Sequence, residues 1–595
     1  MPVVLRPSKV HAKDPTTGEY LPQNVIGDQT TEELVETIND AGDAKLQAIE
    51  TLGSTTETTI NNLRSSSINA IEAKKADALD SIPDDYSEMA ETVKRLAAEE
   101  TGLIYKYGAS GFNNSDPTLT RLYDAVGMVA EVGTDDATVA VRNDFDAVPL
   151  FARRKCVGYW TAGVGKAVFH VNAYEGDPDY TEDGTNGDYV AVDCHPAYYW
   201  ESSDHNIRVV SSTKLPGYRP FECLETEKNS GICRAHTYLP AYALAFDADG
   251  HAVSLPGFAN RQGDYNSLLN AARTYNNADA KQYAMLEPAS VNFYEETLYD
   301  IEFATHNCQS IMRGSSELLG VNNLTVVLQN SGKWITSTYQ NKLVPGSIVA
   351  VDANSSNIQY GAGLYPTHRI TEAVRCDETG AASDSGTHTL LTLEQIDSTK
   401  TFEVGTTYYI SHRPYITGSA NSVATPSGSP VSNSDGLHPM RYRYRENVFG
   451  NQFHTIMDVF IRKIGTDDTD WELEWYKLLD PVTWSDNPSE AQLQSDKFAK
   501  LSVITEHENY KNGYVVGVET DPNFPEVRVP IVDGTGSSAT HTCDYASLVT
   551  SNVVRSLRLV GNWYNGLHDG FEYSHANNAP SHSSATYGGG LYFAQ

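Results

Sequence analysis

Residues Leu557 to Gln595 read LRLVGNWYNGLHDGFEYSHANNAPSHSSATYGGGLYFAQ, and the fold turns on how this stretch is read. Of the 27 residues from Gly561 to Tyr587, fifteen are Asn, Tyr, His, Asp or Ser, and none is Lys, Arg or Gln. Such a mixture suits a binding surface, because Tyr supplies rigid amphipathic contact area while Ser and Asn supply adaptable hydrogen bonding, as in antibody loops. The other reading open to it is a plain polar loop ahead of a terminal strand, the usual assignment of an Asn/Ser/Gly tract. Against that loop stand Trp563, Phe571 and the repeated Tyr and His residues, which turn chemistry does not call for.

Working outward, two earlier segments belong with this one. Arg441 to Arg462 (RYRYRENVFGNQFHTIMDVFIR) contains Arg445-Glu446-Asn447 followed by Phe449-Gly450-Asn451, and Glu302 to Gly314 reads EFATHNCQSIMRG. Together these resemble the C-type-lectin-like fold shared by formylglycine-generating-type domains and phage variable proteins. The terminal segment resembles the variable region of diversity-generating retroelement target proteins, the type exemplified by phage major tropism determinants. The resemblance covers roughly Thr120 to Gln595 apart from an insert.

It implies a framework of Gly561, Trp563, Gly566, Gly570, Phe571, Ala579, Pro580, Gly588, Gly590 and Leu591. It also implies mutagenesis at adenines, under which the Asn codon AAC passes to codons that include Tyr, His, Asp, Ser and Thr and never to a stop. The observed composition is what an Asn-rich template would yield. The receptor-contact set expected between the framework positions is Asn562, Tyr564, Asn565, His568, Asp569, Tyr573, His575, Asn577, Asn578, His582 and Tyr587.

Further upstream, residues 321–438 read as a separate small β module inserted into the head. Its strand candidates are Thr325 to Gln329, Ser347 to Val351, His388 to Leu393 and Thr406 to Ser411. The tract Gly418 to Gly436 (GSANSVATPSGSPVSNSDG) reads as a flexible linker by composition. From Gly102 the texture is one of short strands and frequent turns, as in Lys166 to Tyr174 and Gly187 to Cys194. Helices are expected around Tyr265 to Thr274 and from about Glu295 to Met312. In the second, Leu298, Ile301, Thr305, Cys308 and Ile311 share a face, which makes Cys308 a core residue.

Residues 29–101 turn to Ala, Glu, Lys, Thr, Leu and Ile. Their apolar positions Ile82, Tyr86, Met89, Val93 and Leu96 alternate four and three apart, the seam of a coiled coil, with a break expected at Pro83. Residues 1–28 are punctuated by Pro and Gly and read as an extended attachment arm. The expected fold class is therefore α+β: a helical coiled-coil stalk, then a lectin-like head in two parts, 102–320 and 439–595, interrupted by the β insert.

With 77 acidic and 43 basic residues the formal net charge is −34, which repels polyphosphate and anionic headgroups and weighs against nucleic-acid or membrane-surface binding. No stretch approaches the ~18 uninterrupted apolar residues of a membrane span, and the start MPVVLRPSKV lacks a signal-peptide core. Seven cysteines, sparse and odd in number, fit reduced thiols of cytosolic assembly.

Catalytic chemistry finds little purchase. Formylglycine-generating relatives need a cysteine pair near the end of the fold, whereas the last 150 residues hold only Cys543. Cys194, His195, Cys223, Cys233 and His236 lack the Cys-x-x-Cys spacing of a zinc site. The acidic run Glu175, Asp177, Asp179, Glu182, Asp183 and Asp188 departs from the EF-hand order and reads as a solvated turn. Nothing matches a Gly-x-Ser-x-Gly, Walker or dinucleotide motif.

The expectation is a non-enzymatic phage receptor-binding fibre protein without metal or cofactor. It would be homotrimeric, mounted on the tail or baseplate of the virion through its N-terminus, and would bind a host cell-surface receptor, protein or glycan. Two rivals are a polysaccharide-depolymerising tail spike, which would need a repeat of ~20 to 50 residues that the sequence does not show, and a purely structural baseplate component.

Overall fold

The computed structural model describes residues 105–595 apart from 316–319, 356–357, 359–366, 397–399, 432–434, 466–469, 507–511 and 549–552. The expected arm and coiled-coil stalk lie outside the described residues. Within them the chain is mostly β with few helices.

Helix α1 spans Tyr265–Ala272 and starts where the Asp264 carboxylate accepts from the Ser267 N–H, an N-cap that satisfies one of the orphan donors of the first turn. Helix α2 spans Ala289–Phe303. It begins and ends earlier than the apolar spacing predicts. Pro288 sits at its N-cap, and Ala304 leaves it in the left-handed conformation at φ 55°. The apolar positions that prolong the period past Ala304, Thr305 and Cys308 among them, lie in a turn and a short 3-10 helix, Cys308–Ser310. Cys308 is buried there, as a core residue.

All but one residue of α2 is buried, including four acids. Three of the acids meet an arginine from a distant segment, and Asp300 lies beside the nearby His306. Arg153 reaches Glu295 at 2.8 Å, Arg208 pairs with Glu296, Arg443 reaches Glu302 at 2.6 Å, and His306 approaches Asp300 at 3.2 Å. Arg445 joins Glu295 at 3.1 Å to Glu287 just before the helix. Buried charges survive only when paired and hydrogen-bonded, so these contacts fix the register of the segments around α2.

Four sheets carry most of the rest. Thr120–Tyr123, Tyr107–Ser110, Ile207–Ser211, Tyr198–Glu201 and Arg219–Pro220 form one, in that spatial order, and Ala167–Tyr174, Arg154–Ala162, Tyr189–Cys194 and Thr237–Pro240 a second. The third is a closed six-stranded barrel of Leu324–Leu328, Lys333–Thr336, His388–Gln395, Thr367–Cys376, Ile348–Asp352 and Thr407–His412. Closure removes the exposed edges that so short a set of strands would otherwise present. All four strand candidates of the insert fall within this barrel, to within two residues at either end.

The fourth sheet is built on the long strand Phe453–Ile464, which pairs with Glu472–Leu478 on one side and Val554–Leu559 on the other. The short strand Ser574–His575 continues the sheet beside Val554–Leu559, and Tyr587–Gly588 runs parallel to Phe453–His454. The last strand, Tyr592–Phe593, pairs with Ala284–Met285 just ahead of α2, so the terminal segment is threaded through the core.

The tract Gly418–Gly436 is not a flexible linker where it is described. Ala420, Val423, Ser427 and Ser429 are buried, the Gly418 and Ala420 N–H groups donate to the Glu446 carboxylate, and Gly428 is bonded to Gly133 and Arg441. Its small residues allow close backbone approach rather than freedom. The barrel packs on the head through Ile348, Tyr415, Ile416 and Leu437, which enclose Trp563 and Ala585 of the terminal segment, and residues 105–595 form one compact unit. Among the described residues no helix is long and apolar enough to cross a membrane.

Candidate functional site

The terminal segment folds around its apolar members. Trp563 is fully buried in the contact with the barrel, and Phe571 packs between Tyr299 of α2 and Phe449, ring centroids 5.3 Å from each. The glycines of the framework mark close approach. Gly561 has φ 67°, and a Cβ there would sit 1.6 Å from a carboxylate oxygen of Asp569; at Gly570 it would meet the Asp544 carboxylate at 2.1 Å. No larger residue fits either position without moving a buried acid.

Between these fixed points the chain opens a concavity of about 550 Å³ lined by Phe453, Ser547, Asn562, Asn565, Tyr573, His575, Asn577, His582, Ser583, Ser584, Thr586 and Tyr587. Seven of the eleven residues expected to contact a receptor are among them. The floor is aromatic and centred on Phe453, whose ring lies 5.4 Å from Tyr573, 4.5 Å from His575 and 5.9 Å from Tyr587. His582 stands at the mouth, 5.6 Å from the Tyr587 ring.

Side-chain hydrogen bonds hold this lining in place. Asn565 donates to the Tyr573 hydroxyl at 3.1 Å, Asn578 to the Tyr587 hydroxyl at 2.8 Å, and Asn577 to Ser547 at 3.2 Å. The Asn562 carboxamide oxygen accepts from the Tyr564 N–H at 2.8 Å. A polar surface fixed before a ligand arrives loses less side-chain entropy on binding. Burial and then the nearby Arg558 charge push the His575 imidazole down to about 3, so it is neutral at physiological pH. Burial followed by Arg558 also lowers His582.

Four expected contact residues lie outside the concavity. Tyr564 is 49% exposed and projects beside Gly320, next to the barrel. His568 stacks on Tyr545 at 4.7 Å, and Asn578 acts from behind as the partner of Tyr587. Asp569 is wholly buried, packed under Gly561, with its carbonyl accepting from Gln309, so it belongs to the interior and offers no surface. The alternation of polar residues in the sequence could not separate it from its exposed neighbours.

Sequence reasoning missed Phe453, Ser547, Ser583, Ser584 and Thr586 as lining residues. Phe453 had a signal in its position three residues past Gly450, within the segment already tied to the same fold; the serines had none.

The other candidate clusters resolve into internal contacts. The Cys194, Cys223 and Cys233 thiols each donate to a different backbone carbonyl, and His236 pairs with Asp193 at 3.0 Å, so this set does not converge on one point. In the acidic loop, Asp177 caps the Tyr174 N–H, Asp183 accepts from Thr185, Asp188 accepts from Tyr275 and Glu182 pairs with Lys155. Glu296, Asp300 and His306 do lie close enough together to hold an ion, but the Arg208 guanidinium already sits among them.

No protein-family model matches this sequence, and no curated protein matches it.

Proposed function

We propose that this chain is a phage receptor-binding fibre protein whose head is C-type-lectin-like and whose recognition surface is the concavity over Phe453. The arm and coiled-coil stalk would mount it on the tail or baseplate as a homotrimer, and the variable positions of the terminal segment would meet a host surface molecule. Three heads acting together would give useful avidity from weak single contacts.

The observation that supports this reading is the gathering of seven residues, chosen for their type and position in the sequence, into one pre-ordered polar hollow with an aromatic floor. Concave sites with a few convergent polar groups are where ligands bind. Trp563, Phe571, Gly561 and Gly570 meanwhile face inward, and His582 and Ser583 are exposed positions at which the lining can vary without loss of the core.

The test is adsorption to host cells by virions carrying His582→Ala, Asn577→Ala or Tyr564→Ala. We expect at least a tenfold loss for His582→Ala and Asn577→Ala, with thermal stability unchanged. Wild-type adsorption by all three would remove the reading. Sequencing the same region from many isolates gives an independent check, since changes should cluster at the lining codons and spare Trp563, Phe571 and the glycines.

A further inference from the structure

Behind the concavity lies a charge with no counter-ion in contact. Arg558 is fully buried on the strand Val554–Leu559, in register with Thr455 on one side and His575 on the other. Its guanidinium lies 3.8 Å from the centroid of the Tyr587 ring, and none of its three nitrogens has a hydrogen-bond partner among the described residues. Five other buried arginines of this head are matched with carboxylates, Arg153 with Glu295, Arg208 with Glu296, Arg443 with Glu302, Arg445 with Glu287 and Arg528 with Glu201, while buried Arg441 and Arg555 donate to backbone carbonyls.

Asp264 is the acid whose field reaches Arg558, yet its two carboxylate oxygens are engaged by the Ser267 N–H at 2.8 Å and the Asn487 amide at 3.3 Å. A guanidinium remains protonated even when burial disfavours it, so an unpaired one is costly to keep. In a chain with 77 acidic residues, the concavity above it is lined by none.

We infer that the concavity takes an anionic sugar, whose hydroxyls meet the polar lining and whose acidic group is held by the Arg558 charge acting across Tyr587 and by the neutral donors of the rim. This rests on the receptor-binding reading and names the ligand class for it. Tyr573, Tyr587 and Phe453 are each only 3% exposed and pack together as the base of the concavity, while Asn562, Asn565, Asn577 and Ser584 supply hydroxyl-matching donors and acceptors. Arg558 adds what a neutral sugar could not use. A buried charge acts more strongly on a ligand than a solvated one, because little water lies between to screen it. The same field already bears on three lining groups: after burial, Arg558 is the next influence on His575, His582 and Tyr587.

The experiment is saturation-transfer NMR on the full-length protein with glucuronate, glucose and glucose 6-phosphate, each at low and high salt. We expect one or both anionic sugars to bind at least about tenfold more tightly than glucose, a carboxylate preference and a phosphate preference being separated by the two acidic probes. In Arg558→Met the advantage over glucose should disappear. If that variant does not fold, His582→Asp, at the exposed mouth, places a like charge in the path and should remove the advantage with the core untouched. Equal binding of all three sugars, or an anion preference that survives both substitutions, overturns the inference. The outcome is separable from that of the receptor reading: no charge preference while rim variants still fail to adsorb defeats the inference alone. Charge preference with normal adsorption by those variants leaves it standing and defeats the receptor reading.

Discussion

At the scale of single residues the terminal segment divides its labour, and the division can be measured. Trp563 is enclosed by the barrel and Ala585, so Trp563→Ala should cost about 3–5 kcal/mol through lost contacts and the cavity left behind. His582 is exposed at the mouth with its ring 5.6 Å from that of Tyr587, so His582→Ala should stay within about 0.5 kcal/mol of the parent. Urea unfolding of the two variants checks both values, and comparable losses would mean that framework and lining are not distinct. Much of this was legible beforehand, since Trp and Phe amid Asn, Ser and His mark themselves as anchors. Arg558 was not. One of two arginines in the strand VRSLRL, it looks like any outward-facing base, and only the pairing of three strands around it reveals that it is buried.

Among the elements, α2 departs furthest from what periodicity implies. Glu295, Glu296, Asp300 and Glu302 fall within fifteen residues, more acid than a buried helix ordinarily holds, yet all four are interior and three of them are paired with arginines. The partners Arg153, Arg208 and Arg443 come from segments 88 to 142 residues away, a separation that no local pattern encodes. The Glu302 carboxylate takes hydrogen bonds from Arg443 at 2.6 and 2.9 Å, from Tyr442 at 3.0 Å and from Asn143 at 2.7 Å. Arg443→Met would leave that carboxylate buried with its main counter-ion gone, and should cost about 3–5 kcal/mol. Arg443→Met combined with Glu302→Gln should recover part of the loss, as a double-mutant cycle by chemical denaturation would show. Strands were easier to foresee than this helix because their alternation is local: four of the six barrel strands were located to within two residues, and Lys333–Thr336 and Thr367–Cys376 were missed. The Gly418–Gly436 tract misled because Ser, Gly and Pro serve flexible linkers and tight packing alike.

For the whole molecule, an excess of 34 negative charges sits around an interior that keeps several titratable groups uncharged, and two of these make opposite demands on pH. His412 lies fully buried at the end of a barrel strand, where its ring nitrogen accepts from the Val321 N–H at 3.2 Å. Burial first, and then the Lys342 charge, push it down to about 3. In the unfolded chain it takes up a proton near 6.5, so this group withdraws stability as pH falls from 6.5 towards 3, by about 1.4 kcal/mol per pH unit. Glu446 is raised to about 7 by burial, against the opposing N–H donors of Ala420 and Gly418. Folding therefore holds a proton on it between 4.5 and 7; the stability it contributes is complete below 4.5 and is lost as pH rises through 7. His412→Gln retains an acceptor for Val321 and has no proton to gain, so its stability relative to the parent should rise steadily as pH is lowered from 6.5 to 4.5. Glu446→Gln should gain on the parent in the other direction, from pH 4.5 up to 7. Because each comparison is with the parent at the same pH, the titration of every other group cancels, and the two variants must tilt in opposite senses in urea-denaturation series across that range. Parallel tilts, or none, would mean that these two groups do not stay uncharged in the folded interior.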